Sequence, residues 1–94
     1  MSEVSDFLER IYKYSEKYDF AAAEAYIHSK IEFMNDIGKH DQIDSILYGM
    51  DLNKIRAKIA KILIYKINHC SDKLLMNKDF TSRCIDHFGK NELS

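Results

Sequence analysis

The sequence predicts an all-α protein: one compact bundle of four to five short antiparallel helices. Three observations carry this. Apolar residues recur at three- and four-residue spacing through nearly the whole chain, which is the helical period. Residues that cap helices precede those runs, and proline, which breaks helices, is absent. The 94 residues are 46% hydrophobic and 31% charged, enough apolar surface for one core and too little length for two. A single domain over residues 1–94 is therefore expected.

The first helix is expected from Ser2 to about Lys17. Val4, Phe7, Leu8, Ile11, Tyr14 and Tyr18 form its apolar face, and Ser2 is its N-cap. Asp6 with Arg10 and Glu9 with Lys13 place an acid four residues before a base, the favourable order on a helix surface.

Asp19 is expected to cap the second helix, Phe20 to Ile37, and Gly38 to end it. This helix has two apolar stripes. Phe20, Ala23, Ile27, Ile31 and Met34 form one. Ala22, Tyr26, Ser29, Phe33 and Ile37 form the other, about a third of a turn away. One stripe suffices to seat a helix on a core. The second predicts either a central helix with neighbours on both sides, or a homo-oligomer interface through Ala22, Tyr26, Ser29 and Phe33.

Asp41 is expected to cap a short third helix carrying Ile43, Ile46, Leu47 and Met50. Asp51 is expected to cap the fourth, Leu52 to about His69. Ile62-Leu63-Ile64-Tyr65 is apolar all round and, alone, fits a strand as well as a helix. Its flanks keep the helical period and decide for helix. Ser71 and Asp72 open a last segment with a break near Asn77, then a final helix carrying Phe80, Cys84, Ile85 and Phe88 and stopped at Gly89. Helices two and four are expected at the centre, connections at two to four residues, and residues 91–94 as a frayed tail.

Several kinds of chemistry are excluded by simple counting. Phosphate-binding loops need clustered glycines, and Gly38, Gly49 and Gly89 lie far apart. No Gly-x-Ser-x-Gly elbow and no His-Glu-x-x-His pair occur. No apolar run approaches the roughly 18 to 20 residues of a membrane helix. The acidic, amphipathic start MSEVSDFLER does not read as a secretory signal, and two cysteines do not make a disulfide scaffold. A cytoplasmic protein without membrane contact is expected. Lysine outnumbers arginine 11 to 3 and isoleucine is the commonest residue at 12, a bias of A/T-rich genomes that suits a phage or mobile-element origin.

His69, Cys70, Cys84 and His87 supply ligand types for a Cys2His2 zinc site. Adjacent His-Cys ligands are awkward, and Cys84 shares the apolar register of Phe80 and Phe88. Core thiols with exposed imidazoles are the better reading, so no metal and no cofactor are expected. Cys84, Asp86 and His87 hold the residue types of nucleophilic catalysis, but neighbouring Asp86 and His87 point apart on a helix and no glycine-rich loop offers an oxyanion hole. An enzyme is not expected.

Charge distribution says more than the net charge of −1. Residues 1–50 carry a balance of −5 and residues 51–90 one of +5. Read as one helix, the fourth segment aligns Lys54, Lys58, Lys61 and Tyr65 in a stripe, with no acid between Leu52 and His69 to offset it. A solvated lysine face explains this without any function. A contact surface for an acidic partner explains it with one. The sequence therefore favours a small non-enzymatic regulator or inhibitor that binds a macromolecular partner through Lys54, Lys58, Lys61 and Tyr65; the acidic group they meet is open between phosphate, an acidic protein and the acidic half of another copy. Nucleic-acid binding by the same lysines, with Tyr65 stacking on a base, is the alternative. The near-zero net charge and the three arginines weigh against it.

Overall fold

A computed structural model describes residues 2–94. Five α-helices follow in order: α1 (Glu3–Glu16), α2 (Phe20–Asp36), α3 (His40–Gly49), α4 (Ala57–Asn68) and α5 (Asn77–Phe88). A single 3-10 turn, Leu52–Lys54, lies between α3 and α4, and no strand occurs among the described residues. The bundle measures 33 × 25 × 20 Å.

The apolar spacing of the sequence becomes one continuous core. Phe7 and Ile11 of α1, Ala23, Ile27 and Ile31 of α2, and Ile43, Ile46 and Leu47 of α3 are buried together. Ile59, Leu63 and Ile67 of α4 and Phe80 and Cys84 of α5 complete it. Each large apolar side chain fully buried here contributes roughly 1.5–3 kcal/mol. As expected, α2 is central: it packs against α1, α3 and α4. The ten-residue α3 is equally central, packing against α1, α2 and α5.

Ser2 and Asp19 cap as the sequence predicts. Ser5 N–H donates to Ser2 Oγ at 3.1 Å, and Ala22 N–H donates to Asp19 Oδ1 at 3.2 Å. The ends of α1 and α2 share one hydrogen-bonding pattern. Asp19 N–H reaches Tyr14 O at 2.9 Å, and Lys39 N–H reaches Met34 O at 2.8 Å. Such a Schellman ending needs a left-handed residue just past the helix. Gly38 takes it after α2 at φ 74°, and Tyr18 takes it after α1 at φ 56°. The left-handed region costs a residue with a Cβ about 1 kcal/mol or more.

Four expectations are corrected. The first is the cap of α3: Asp41 lies inside its first turn, and Lys39 at the N-cap makes no side-chain cap bond. Asp44 instead accepts from the backbone of a distant loop. Leu75 N–H donates to its two carboxylate oxygens at 3.0 and 3.1 Å, and Met76 N–H to Oδ1 at 2.9 Å. Met76 is the N-cap of α5 and has no side-chain cap bond of its own, so α3 supplies the acceptor. In return, Arg83 of α5 donates to the Leu47 carbonyl in the last turn of α3.

The second correction is the α4–α5 connection, residues 69–76, which is longer than two to four residues. Buried Leu74 and the Asp44 bonds tie it down. The third is the fourth helix, which starts at Ala57 and not at Leu52. Ile55 and Arg56 are extended, with ψ of 158° and 157°. The break is compensated by tertiary bonds: Asp51 N–H donates to the Tyr12 hydroxyl at 2.9 Å and Arg56 N–H to Ser15 Oγ at 2.9 Å, while Ile55 is buried. Where fraying is expected, residues 90–93 form a turn. Leu93 packs on the core and Lys61 Nζ donates to the Ser94 carbonyl at 2.9 Å.

Candidate partner-binding surface

The break before α4 reorganises the basic stripe. Lys54 sits on the 3-10 turn, off the line of α4, while Lys58, Lys61 and Tyr65 share an exposed helix face. Tyr65 stacks on the His69 imidazole at 4.1 Å between centroids, and His69 Nδ1 lies 2.8 Å from the Tyr65 carbonyl. Lys61 is engaged by Ser94.

Extended backbone at residues 55–56 aims alternate side chains to one side, and a second pattern results. Lys54 Nζ lies 5.2 Å from the Tyr12 ring centroid. The Arg56 guanidinium carbon lies 3.7 Å from that of Tyr18, and Lys58 Nζ 5.1 Å from that of Phe20. Three successive cations thus ride on three aromatic rings from the end of α1, the α1–α2 turn and the start of α2. Each such pair contributes about 0.5–1 kcal/mol at an exposed site. Arg56 is held in addition by Ser15, whose carbonyl accepts from Nε at 3.1 Å.

Among the described residues, none of Lys54, Arg56 or Lys58 has a side-chain carboxylate within 4.0 Å. The ion pairs among the described residues are Lys66 with Glu32 at 3.5 Å and Arg83 with Asp79 at 3.0 Å. Beside the edge, Glu9, Tyr12, Lys13, Glu16 and Lys54 line an open groove of about 600 Å³. The edge is therefore basic and aromatic, with acids along one border.

Tyr12, Tyr18, Phe20 and Arg56 are absent from the sequence-based site. A continuous helix from Leu52 would turn Arg56 away from Lys54 and Lys58, and this hides the alternation. The readable signal is the spacing Lys54-x-Arg56-x-Lys58 itself, which suits extended backbone.

The second stripe of α2 divides. Tyr26 stacks on Phe7 at 5.3 Å, meets Tyr14 edge-on at 6.0 Å and lies under the Arg10 guanidinium at 5.0 Å. Burial raises its phenol above the usual 10.0, and Arg10 pulls it partly back. Half-buried Ala22 lies on the same side of the helix. Tyr26 therefore belongs to the α1–α2 contact. Ser29 donates to the Tyr26 carbonyl at 3.2 Å and faces solvent, and Phe33 is 57% exposed.

His69, Cys70, Cys84 and His87 do not converge: no three His, Cys, Asp or Glu side chains among the described residues could hold a metal ion. Cys84 is fully buried, and burial pushes its thiol up to about 11. A thiol so protonated is a poor nucleophile. His87 meets Phe88 edge-on at 4.6 Å. No helix among the described residues is long and apolar enough to cross a membrane. No protein-family model matches the chain, and no curated protein or solved structure shows significant similarity to it.

Proposed function

We propose that the protein is a small non-enzymatic regulator or inhibitor that docks an acidic protein surface along the edge formed by Lys54, Arg56 and Lys58. The observation that carries the reading is the row of cations without carboxylate partners, each seated on an aromatic ring. Aromatic support fixes the position of a cation without neutralising it. An incoming carboxylate therefore meets a charge that is already placed, and less side-chain entropy is lost on binding. Lys61 and Tyr65 extend the same basic side along α4.

Nucleic acid is the second reading, favoured by cations interleaved with an exposed aromatic at Tyr18. The border acids Glu9 and Glu16 speak for protein, because a phosphodiester chain would be repelled there and a protein surface can match both signs.

Affinity purification from the native host tests this, using wild type beside a Lys54→Glu/Lys58→Glu variant whose helicity is verified by circular dichroism. An acidic protein retained by wild type and lost from the variant supports the proposal. Recovered nucleic acid, with an affinity slope of about 0.9 per phosphate contacted against log salt, supports the second reading. Identical recoveries with both proteins overturn the assignment of this edge.

A further inference from the structure

Tyr18 is the one non-glycine residue with positive φ among the described residues, and its side chain is 62% exposed. The end of α2 shows the same hydrogen-bonding pattern built with Gly38, which takes the left-handed conformation without steric conflict. At the end of α1 the fold accepts strain and places a tyrosine. Arg56 lies against one face of the ring at 3.7 Å, and Phe20 meets it edge-on at 6.2 Å. Lys58 rides on that same Phe20 ring, so a second cation lies on the ring neighbouring Tyr18. Backbone, guanidinium and Phe20 together hold the ring in place while much of it stays open to solvent. Strained backbone that presents an exposed side chain is common at binding sites. Rigid Tyr and Arg residues are the usual energetic centres of interfaces.

We propose that Tyr18, braced by Arg56, is the anchor of the docking edge. Its open face receives an apolar or aromatic side chain of the acidic partner, and Lys54 and Lys58 take carboxylates on either side. This rests on the reading of the edge as a docking surface and adds the partner's chemistry: an acidic segment with an aromatic residue inside it. Tyr65, at the C-terminal end of the lysine stripe, is stacked on His69 and is not the anchor.

The test uses fluorescence anisotropy with two labelled synthetic peptides, both glutamate-rich, one with a central Phe and one with Ala in its place. Wild type should bind the Phe peptide about tenfold more tightly, a difference of about 1.4 kcal/mol. Tyr18→Gly should abolish that preference, with a thermal midpoint within about 5 °C of wild type or above it. Tyr18→Phe should keep the preference, since the ring and not the hydroxyl makes the contact. A Tyr18→Gly protein that still prefers the Phe peptide overturns the anchor, as does one whose midpoint falls by more than about 10 °C, because Tyr18 would then be a structural clamp. The Lys54→Glu/Lys58→Glu variant separates the two claims. If it binds both peptides as wild type does, the docking edge itself is wrong. If it loses both while Tyr18→Gly behaves as wild type, only the anchor is wrong.

Discussion

Replacing Asp44 by Ala should destabilise the protein through a helix to which Asp44 does not belong. Its carboxylate accepts from Leu75 N–H at 3.0 and 3.1 Å and from Met76 N–H at 2.9 Å, at the start of α5. The N-cap residue Met76 makes no side-chain cap bond, and the local acceptor Asn77 Oδ1 takes only Lys78 N–H, at 2.8 Å. Loss of an N-cap costs typically about 1 kcal/mol and up to about 2. Charge at a helix N-terminus adds about 0.3–1 kcal/mol. The Leu75 end is open to water, which offsets part of the loss, so about 2 kcal/mol is expected for Asp44→Ala. Asp44→Asn keeps an acceptor and loses the charge, so about 1 kcal/mol is expected. For a domain of this size each kcal/mol shifts the midpoint by about 4–8 °C, which predicts a drop of about 10 °C for Ala. Thermal melts followed by circular dichroism measure this, and amide exchange should show early opening confined to residues 69–76 and the first turn of α5. Asp41→Ala is the control: its carboxylate accepts no cap bond and only its charge in the first turn of α3 is lost, so a change of about 0.3–1 kcal/mol is expected. If Asp41→Ala costs as much as Asp44→Ala, or Asp44→Ala melts with wild type, the cap between helices is refuted.

Ser15 is the one buried polar residue among the described residues, at 2% exposure, and it accepts the Arg56 N–H. Ser15→Ala should cost about 1–2 kcal/mol in chemical denaturation, because it strands a half-buried donor, while Ser45→Ala on the surface of α3 should cost almost nothing. Cys70 should react with an alkylating reagent before Cys84, and intact-mass spectrometry should find the second adduct only under denaturing conditions. Because burial raises the Cys84 thiol from 9.0 to about 11, the unfolded chain ionises first. Its contribution is complete below pH 9 and is lost as pH rises through 11. Urea midpoints that fall more steeply over this range in wild type than in a Cys84→Ala variant, which keeps the raised Tyr26 phenol, would show it.

The sequence by itself determined the elements. Phe7 and Ile11, Ala23, Ile27, Ile31 and Met34, Ile43, Ile46 and Leu47, and Phe80 with Cys84 are buried where helical spacing puts them. Ser2, Asp19 and Gly38 act where they stand, because capping and left-handed turns involve residues only a few positions apart. The second stripe of α2 was legible as an apolar face, but its owner was not: Tyr26 is covered by Phe7 and Tyr14 of α1. Tertiary structure alone decided the contacts between residues 31 to 41 positions apart. Asp44 stands three residues after the expected cap Asp41, yet it serves α5, 31 and 32 positions away. The periodicity of residues 52–69 allows one helix, and the fold breaks it because Ser15 and Tyr12, 41 and 39 positions earlier, take up the freed backbone donors. That break turns a lysine stripe into a cation–aromatic edge. Local propensity differs little between the two backbone paths at Ile55 and Arg56, so distant hydrogen bonds of about 1 kcal/mol each choose between them.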